Sequence, residues 1–216
     1  MTSMTRTYDP ARCVVFRRTK DEFGALSNMA GGFPLLVNGI VIRSTEALYQ
    51  CFRFPHRPDL QREIADQRSP MTAKMKSRRH LAHSRSDWNR VRIEAMRWCL
   101  RVKLAQHRST FGMLLLETGE RPIVELSHRD SFWGAVPRAD GRLMGVNALG
   151  RLLAELRDES RSLTQGQDPL AGSPRVPGAL LLGKPLGGIT PTSSEETGAT
   201  IQASLPLFEP DHSGAG

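Results

Sequence analysis

Ser44-Thr45-Glu46-Ala47-Leu48-Tyr49-Gln50 is the segment of this chain best equipped for chemistry. Ser44 or Thr45 can cap a helix by accepting backbone N–H bonds. Glu46 then falls in the first turn, where the positive end of the helix dipole favours a carboxylate. Tyr49 and Gln50 follow at three and four residues and share its face. An acid, a phenol and an amide thus project from one rigid element, as a polar pocket requires. The same spacing also suits an ordinary solvated capping turn.

Three further strings carry chemical groups. Gly24-Ala25-Leu26-Ser27-Asn28 offers close backbone approach and uncharged hydrogen-bonding side chains, suited to a phosphate or ribose or to a plain turn. Asp130-Ser131-Phe132-Trp133-Gly134 sets an indole beside a glycine in a polar loop that Glu125 precedes. Such an indole serves as a wall for a ring, or simply caps a core. Gly145-Val146-Asn147-Ala148-Leu149-Gly150 introduces a helix whose first N–H groups would attract an anion. His80 and His83 lack partners at metal-binding spacing, so neither a metal nor a cofactor is expected.

The positioning elements follow from periodicity. Cys13–Arg17 reads as a strand. Phe33–Ile42 reads as a hairpin turning at Asn38-Gly39, a pair favoured in type I′ turns. Short helices open at Thr45, at Pro58 and at Ser69-Pro70. The third carries Lys74, Lys76, Arg78 and Arg79, a candidate nucleic-acid footprint. The longest helix runs from an Asp87 cap to about Gln106, with Trp88, Val91, Ala95, Trp98 and Val102 at helical spacing. Phe111–Leu116 continues as a helix, Pro122–Leu126 reads as a strand, and Ser127–Arg142 as a polar loop. Asn147–Arg157 forms a last helix with Leu149, Leu152, Leu153 and Leu156 facing inward. After Ser160, Gly, Pro, Ser and Thr dominate. The runs Leu180–Leu182 and Leu205–Phe208 are the parts of that tail able to dock.

Composition narrows the class. The 216 residues carry a net charge of +8. Beyond Arg157, seven acidic residues face three basic ones, so the preceding body is strongly basic. That favours an anionic partner such as nucleic acid or a nucleotide phosphate. No apolar run reaches the roughly 18 residues of a membrane span, and no membrane association is expected. Three scattered cysteines without a C-x-x-C fit a reducing, cytoplasmic setting.

In order, these strings resemble the NADAR family, the YbiA-like N-glycosidases. The resemblance rests on Gly24–Asn28, on Thr45-Glu46 with Gln50, and on Asp87-Trp88 with Met96 and Lys103 downstream. It continues through Thr118-Gly119, Val124-Glu125, Asp130–Gly134 and Gly145–Gly150. Ala47 stands where many members have His. The resemblance implies an α+β, mainly α fold, a compact helical YbiA-like domain with a small β-hairpin or sheet. The domain would span residues 14–158, between a flexible N-terminus (1–13) and a flexible Gly/Pro/Ser-rich tail (159–216). It implies hydrolysis of an N-glycosidic bond through an oxocarbenium-like transition state. Glu46 would be the catalytic carboxylate and Asp130 the second acid. Trp88 and Trp133 would stack on base or ribose, with Tyr49, Gly134 and Asn147 completing the substrate site. Asn28 and Gln50 would hold hydroxyls, and Lys103 or Arg17 would meet phosphate.

Two substrates are implied. One is an ADP-ribosylated guanine in nucleic acid, placing the chain opposite a cognate ADP-ribosyltransferase toxin. The other is a phosphorylated ribosylaminopyrimidine of riboflavin synthesis. A non-catalytic ADP-ribose- or NAD-binding module is the third reading.

Overall fold

The computed structural model describes residues 4–162 and 172–189. Strands β1 (Arg6–Tyr8) and β2 (Val14–Phe16) lead to a hairpin of β3 (Leu35–Val37) and β4 (Ile40–Ile42). Asn38 and Gly39 both take positive φ at its turn, as a type I′ connection requires. Helices α1 (Thr45–Cys51), α2 (Pro58–Ala65), α3 (Pro70–Arg79) and α4 (Trp88–Gln106) follow. A π-turn over Arg108–Gly112 runs into α5 (Met113–Glu117). Strands β5 (Ile123–Glu125), β6 (Val136–Pro137) and β7 (Leu143–Gly145) precede α6 (Ala148–Ser162). A last small hairpin pairs β8 (Leu180–Leu181) with β9 (Lys184–Pro185). The fold is α+β and mainly α.

Helix α4 is the spine. Val91, Ala95, Trp98, Cys99 and Val102 are buried along it, as their spacing predicts. Asp87 does not cap it through its side chain. Its carboxylate pairs with Arg85 instead, at 2.5 Å. On α6, Leu149, Leu152, Leu153 and Leu156 close the core against β5.

The sheet connections decide where a site can form. β2 and β5 lie parallel, with Phe16 opposite Glu125. Leu126 N–H donates to the Phe16 carbonyl at 2.8 Å. The carboxyl ends of both strands therefore open at one edge, the usual place for ligands beside parallel strands. Close backbone contact holds this edge. A Cβ on Gly134 would lie 2.4 Å from the Glu125 carbonyl oxygen, and one on Gly150 2.0 Å from that of Ile123.

Two segments expected to be loose are not. Residues 6–8 pair with β7, Arg6 opposite Gly145, because β7 offers a free edge beside β6. Residues 172–189 fold back across the domain, burying Val176, Leu181, Leu186 and Ile189. Polar ties fix that strap. Trp98 Nε1 donates to the Gly172 carbonyl at 2.9 Å and Arg85 Nη2 to that of Pro177 at 2.7 Å. Buried Gln61 donates to the Leu180 carbonyl at 2.7 Å and accepts from Leu182 N–H at 2.7 Å. Thus Leu180–Leu182 docks, whereas Leu205–Phe208 lies outside the described residues. Removing residues 166–216 should lower the unfolding free energy by at least about 2 kcal/mol. That is roughly the worth of one buried aliphatic side chain after the strap's ordering cost. Urea unfolding of the full and shortened chains measures it; equal midpoints would make the strap energetically idle.

Candidate active site

The site grows from the start of α1. Ser44, in extended backbone, caps the helix by accepting from Ala47 N–H at 3.2 Å. Glu46 N–H reaches across to the Asn28 carbonyl at 3.1 Å, which locks the 24–28 loop onto the helix start. The Glu46 side chain points inward and is 1 % exposed. Asn28 Nδ2 donates to one carboxylate oxygen and Gln50 Nε2 to the other, the latter at 2.8 Å. Gln50 Oε1 in turn accepts from Ser77 Oγ of α3 at 2.5 Å.

Glu46 borders a cavity of about 440 Å³. Arg17, Glu125, Leu126 and Ser127 enter it from the ends of β2 and β5. Asn28 enters from the loop, Tyr49, Gln50 and Arg53 from α1 and its end, and Lys74 and Arg78 from α3. Asp130 and Trp133 close it from the loop after β5. Arg17, Arg53, Lys74 and Arg78 make no ion pair among the described residues.

The acids are not equivalent. Burial pushes Glu46 above the ordinary carboxylate range, against Lys74 and the Gln50 amide. Glu125 is pushed up to about 7, chiefly by burial, with Asp130 and Glu46 adding and Lys74 opposing. Asp130 has a structural duty as well. Its Oδ1 accepts from Phe132 N–H and Trp133 N–H, both at 2.9 Å, which fixes the indole at the cavity wall. Tyr49 meets Trp133 edge to face at 5.6 Å between centroids.

Four expected site residues lie elsewhere. Trp88 packs behind Tyr49, at 5.1 Å between centroids, and is not among the residues lining this cavity. Gly134 is a packing glycine beneath β5. Asn147 is wholly buried; its Nδ2 donates to the Ile123 carbonyl at 2.8 Å and its Oδ1 accepts from Glu125 N–H at 3.2 Å. It satisfies the β5 edge rather than an anion. Lys103 is 0 % exposed and donates to the Ala25 and Ser27 carbonyls at 2.6 and 3.2 Å. It sits over the rings of Phe33 and Phe111, and burial pushes it down to about 7. It pins the loop that presents Asn28 and is not among the residues lining the cavity.

Glu125, Arg53, Lys74 and Arg78 also line the cavity, although none of them is among the expected site residues. Glu125 had one usable signal, a carboxylate ending an apolar strand. Lys74 and Arg78 belong to the basic cluster expected to meet nucleic acid, and their i, i+4 spacing turns both to the cavity. Lys76, off that face, pairs with Glu63 at 2.7 Å.

Comparison with known proteins decides the family. The NADAR domain model matches residues 15–161. The chain belongs to the NADAR family. The N-glycosidase YbiA of Escherichia coli (strain K12) is 34 % identical over 144 residues, covering 67 % of this chain and 86 % of that protein. A riboflavin biosynthesis protein of Vibrio vulnificus is 32 % identical over 148 residues, covering 68 % of this chain and 38 % of that longer protein. The NMR structure of E. coli YbiA superposes with a TM-score of 0.60 at 31 % identity, covering 72 % of this chain and 90 % of the other. As a NADAR member, the chain is a hydrolase of N-glycosyl compounds. No helix among the described residues is long and apolar enough to cross a membrane.

The raised Glu125 yields a pH prediction. Its folded pKa exceeds the unfolded value, so its contribution is complete below about 4.5 and is lost as pH rises through 7. Glu125→Gln should remove up to about 3 kcal/mol of that decline. Denaturation across pH 4–8 measures it; an unchanged slope would show that Glu125 titrates alike in the folded and unfolded chain.

Proposed function

We propose that this enzyme removes ADP-ribose from guanine in nucleic acid by hydrolysing the N-glycosidic bond. The observation that carries the reading is one buried carboxylate sharing a cavity with cations that make no ion pair among the described residues. The cations suit a phosphate-bearing ligand, and the carboxylate suits a sugar that becomes positive.

Breaking the bond sends its electron pair to the base nitrogen and leaves positive charge on the anomeric carbon. Glu46, held by two amides and shut off from water, stabilises that charge where the local dielectric is low. Its donors are in place before reaction and need no rearrangement. Glu125, with its pKa near neutrality, delivers a proton to the departing nitrogen and takes one from the attacking water. The water's hydroxyl ends on the anomeric carbon and its proton, in net, on the base. Trp133 and Tyr49 supply the wall for base or ribose.

A second substrate, a phosphorylated ribosylaminopyrimidine, is favoured by the relatives named for riboflavin biosynthesis. Incubation with guanine-ADP-ribosylated DNA and, separately, with the aminopyrimidine ribosyl phosphate tests both. Mass spectrometry should show loss of the sugar linkage from the DNA; cleavage of the small molecule alone would replace the first reading with the second.

Glu46→Gln removes charge at nearly constant volume. It should abolish turnover while ligand binding and thermal unfolding stay near wild type. Retained turnover would strip Glu46 of its role. Trp133→Ala should weaken ligand binding by ~1–3 kcal/mol, the range for base stacking. Calorimetric affinities unchanged by that substitution would return the indole to packing alone.

A further inference from the structure

A base offered to the cavity while still joined to its strand obliges the strand to leave across the cavity rim. On one side that rim leads into a second concavity. This groove, of about 870 Å³, lies between the β3–β4 hairpin, the loop before it and the end of α2. Arg43, Arg62 and Arg68 line it, with Asp66 as the one acid. Arg62 approaches Asp66 only to 4.0 Å, with side chains 54 % and 62 % exposed, so water screens that pair. Arg43 and Arg68 make no ion pair among the described residues. The groove therefore carries positive charge that the described residues leave uncompensated.

Two stretches of chain join groove and cavity. Met29 lines the cavity and Gly31 the groove, so their Cα atoms lie at most about 7.6 Å apart. Arg68 lines the groove and Lys74 the cavity. Between them Ser69 caps α3 by accepting from Met71 N–H at 3.2 Å. Only about 6 Å of helix rise then separates Pro70 from Lys74. Met71 is 55 % exposed and shares a face with Lys74 at i, i+3, so it forms an apolar ledge between the two concavities.

The groove admits a polymer at close range. A Cβ added at Gly31 or Gly32 would meet nothing within 4 Å, so bare backbone faces the occupant there. Ile40 and Val41, half-buried on β4, give sugars an apolar flank. Arginine forks match phosphate oxygens in a bidentate way. Continuity with the cavity favours a nucleic-acid strand over an acidic protein segment, because only the strand has to pass from one concavity to the other.

We propose that the groove of Arg43, Arg62 and Arg68 holds the sugar–phosphate backbone of the nucleic-acid strand flanking the modified guanine. This rests on the nucleic-acid reading given above, and it adds the surface that separates a strand-borne substrate from a free nucleotide.

The test follows the full chain by fluorescence anisotropy with a labelled, unmodified single-stranded DNA of about 12 nucleotides, over a salt series. Calorimetric titration with ADP-ribose runs beside it. Arg43→Gln with Arg68→Gln should reduce the steepness of log K against log salt by about 1.4, the value for two lost phosphates on a single strand. At low salt the DNA affinity should fall about 3–30-fold, as for two exposed ion pairs. ADP-ribose affinity should stay within about twofold, since the cavity is untouched. An unchanged salt dependence, or an equal loss for ADP-ribose, would overturn the groove. A polyglutamate chain of the same length that binds as tightly and loses as much would overturn it too, in favour of a protein partner. Should the double variant fail to fold, Arg68→Glu alone should weaken DNA binding and spare ADP-ribose; no change there would overturn it equally. The two readings fail separately, because binding of unmodified DNA needs no turnover. Cleavage of ADP-ribosylated DNA with an unchanged salt dependence keeps the substrate and sinks the groove. Strand binding through the groove without that cleavage does the reverse.

Discussion

A carboxylate removed from water must be given hydrogen bonds in return, and that requirement at Glu46 organises the structure. Its donors come from Asn28 in a loop and Gln50 in the same helix, and Ser77 of α3 steadies Gln50. Three elements must therefore meet at one point. Failure of any leaves a charge buried without compensation, which costs several kcal/mol. Lys103 belongs to the same constraint. It ties the carbonyls of Ala25 and Ser27 to the spine, so the loop carrying Asn28 cannot drift. Its own desolvation is offset by those carbonyls and by the faces of Phe33 and Phe111.

The second constraint is topological. The parallel pairing of β2 and β5 is only three residues long. It nevertheless sets Arg17 and Glu125 at one edge, although more than a hundred residues separate them in the chain. Asn147, in the left-handed region with φ of 50°, meets the backbone of β5 where no further strand does. The edge of β5 thus stays satisfied while its carboxyl end remains open to the cavity. Gly134 and Gly150 allow the close approach that this arrangement demands.

Features written in local periodicity were legible in the sequence. The hairpin at Asn38-Gly39, the α4 spine, the α6 leucines and the cap before Glu46 all appear where spacing places them. What was not legible depended on long-range satisfaction of polar groups. Lys103 and Asn147 look like ligand-binding side chains in sequence, because nothing local shows the carbonyls they serve. Glu125 looks like the polar end of a strand, since its burial is supplied by the cavity walls. The strap is poor in periodic signal, and its anchor, Gln61, lies more than a hundred residues before it. Family resemblance pointed to Glu46 and Trp133, but it also pointed to Trp88, which the fold uses as backing for Tyr49.

Charge in the cavity ties binding to chemistry. Lys74 holds down both Glu46 and Glu125, opposing the effect of burial. A phosphate drawn to Lys74 adds negative charge beside the same carboxyls. Linkage then runs in one direction: the anion weakens the restraint that Lys74 exerts, and the proton affinity of both acids rises. For Glu125, already near 7, this enlarges the protonated fraction at neutral pH. For Glu46, the Gln50 amide opposes that rise without overcoming the effect of burial. In the proposed reaction Glu125, the acid nearer neutrality, is the proton donor, and Glu46 is the carboxyl whose ionised form the Gln50 amide supports. In the proposed reaction the cavity cations thus have two roles, because a phosphate that neutralises Lys74 also raises the proton affinity of the acid assigned to the leaving nitrogen.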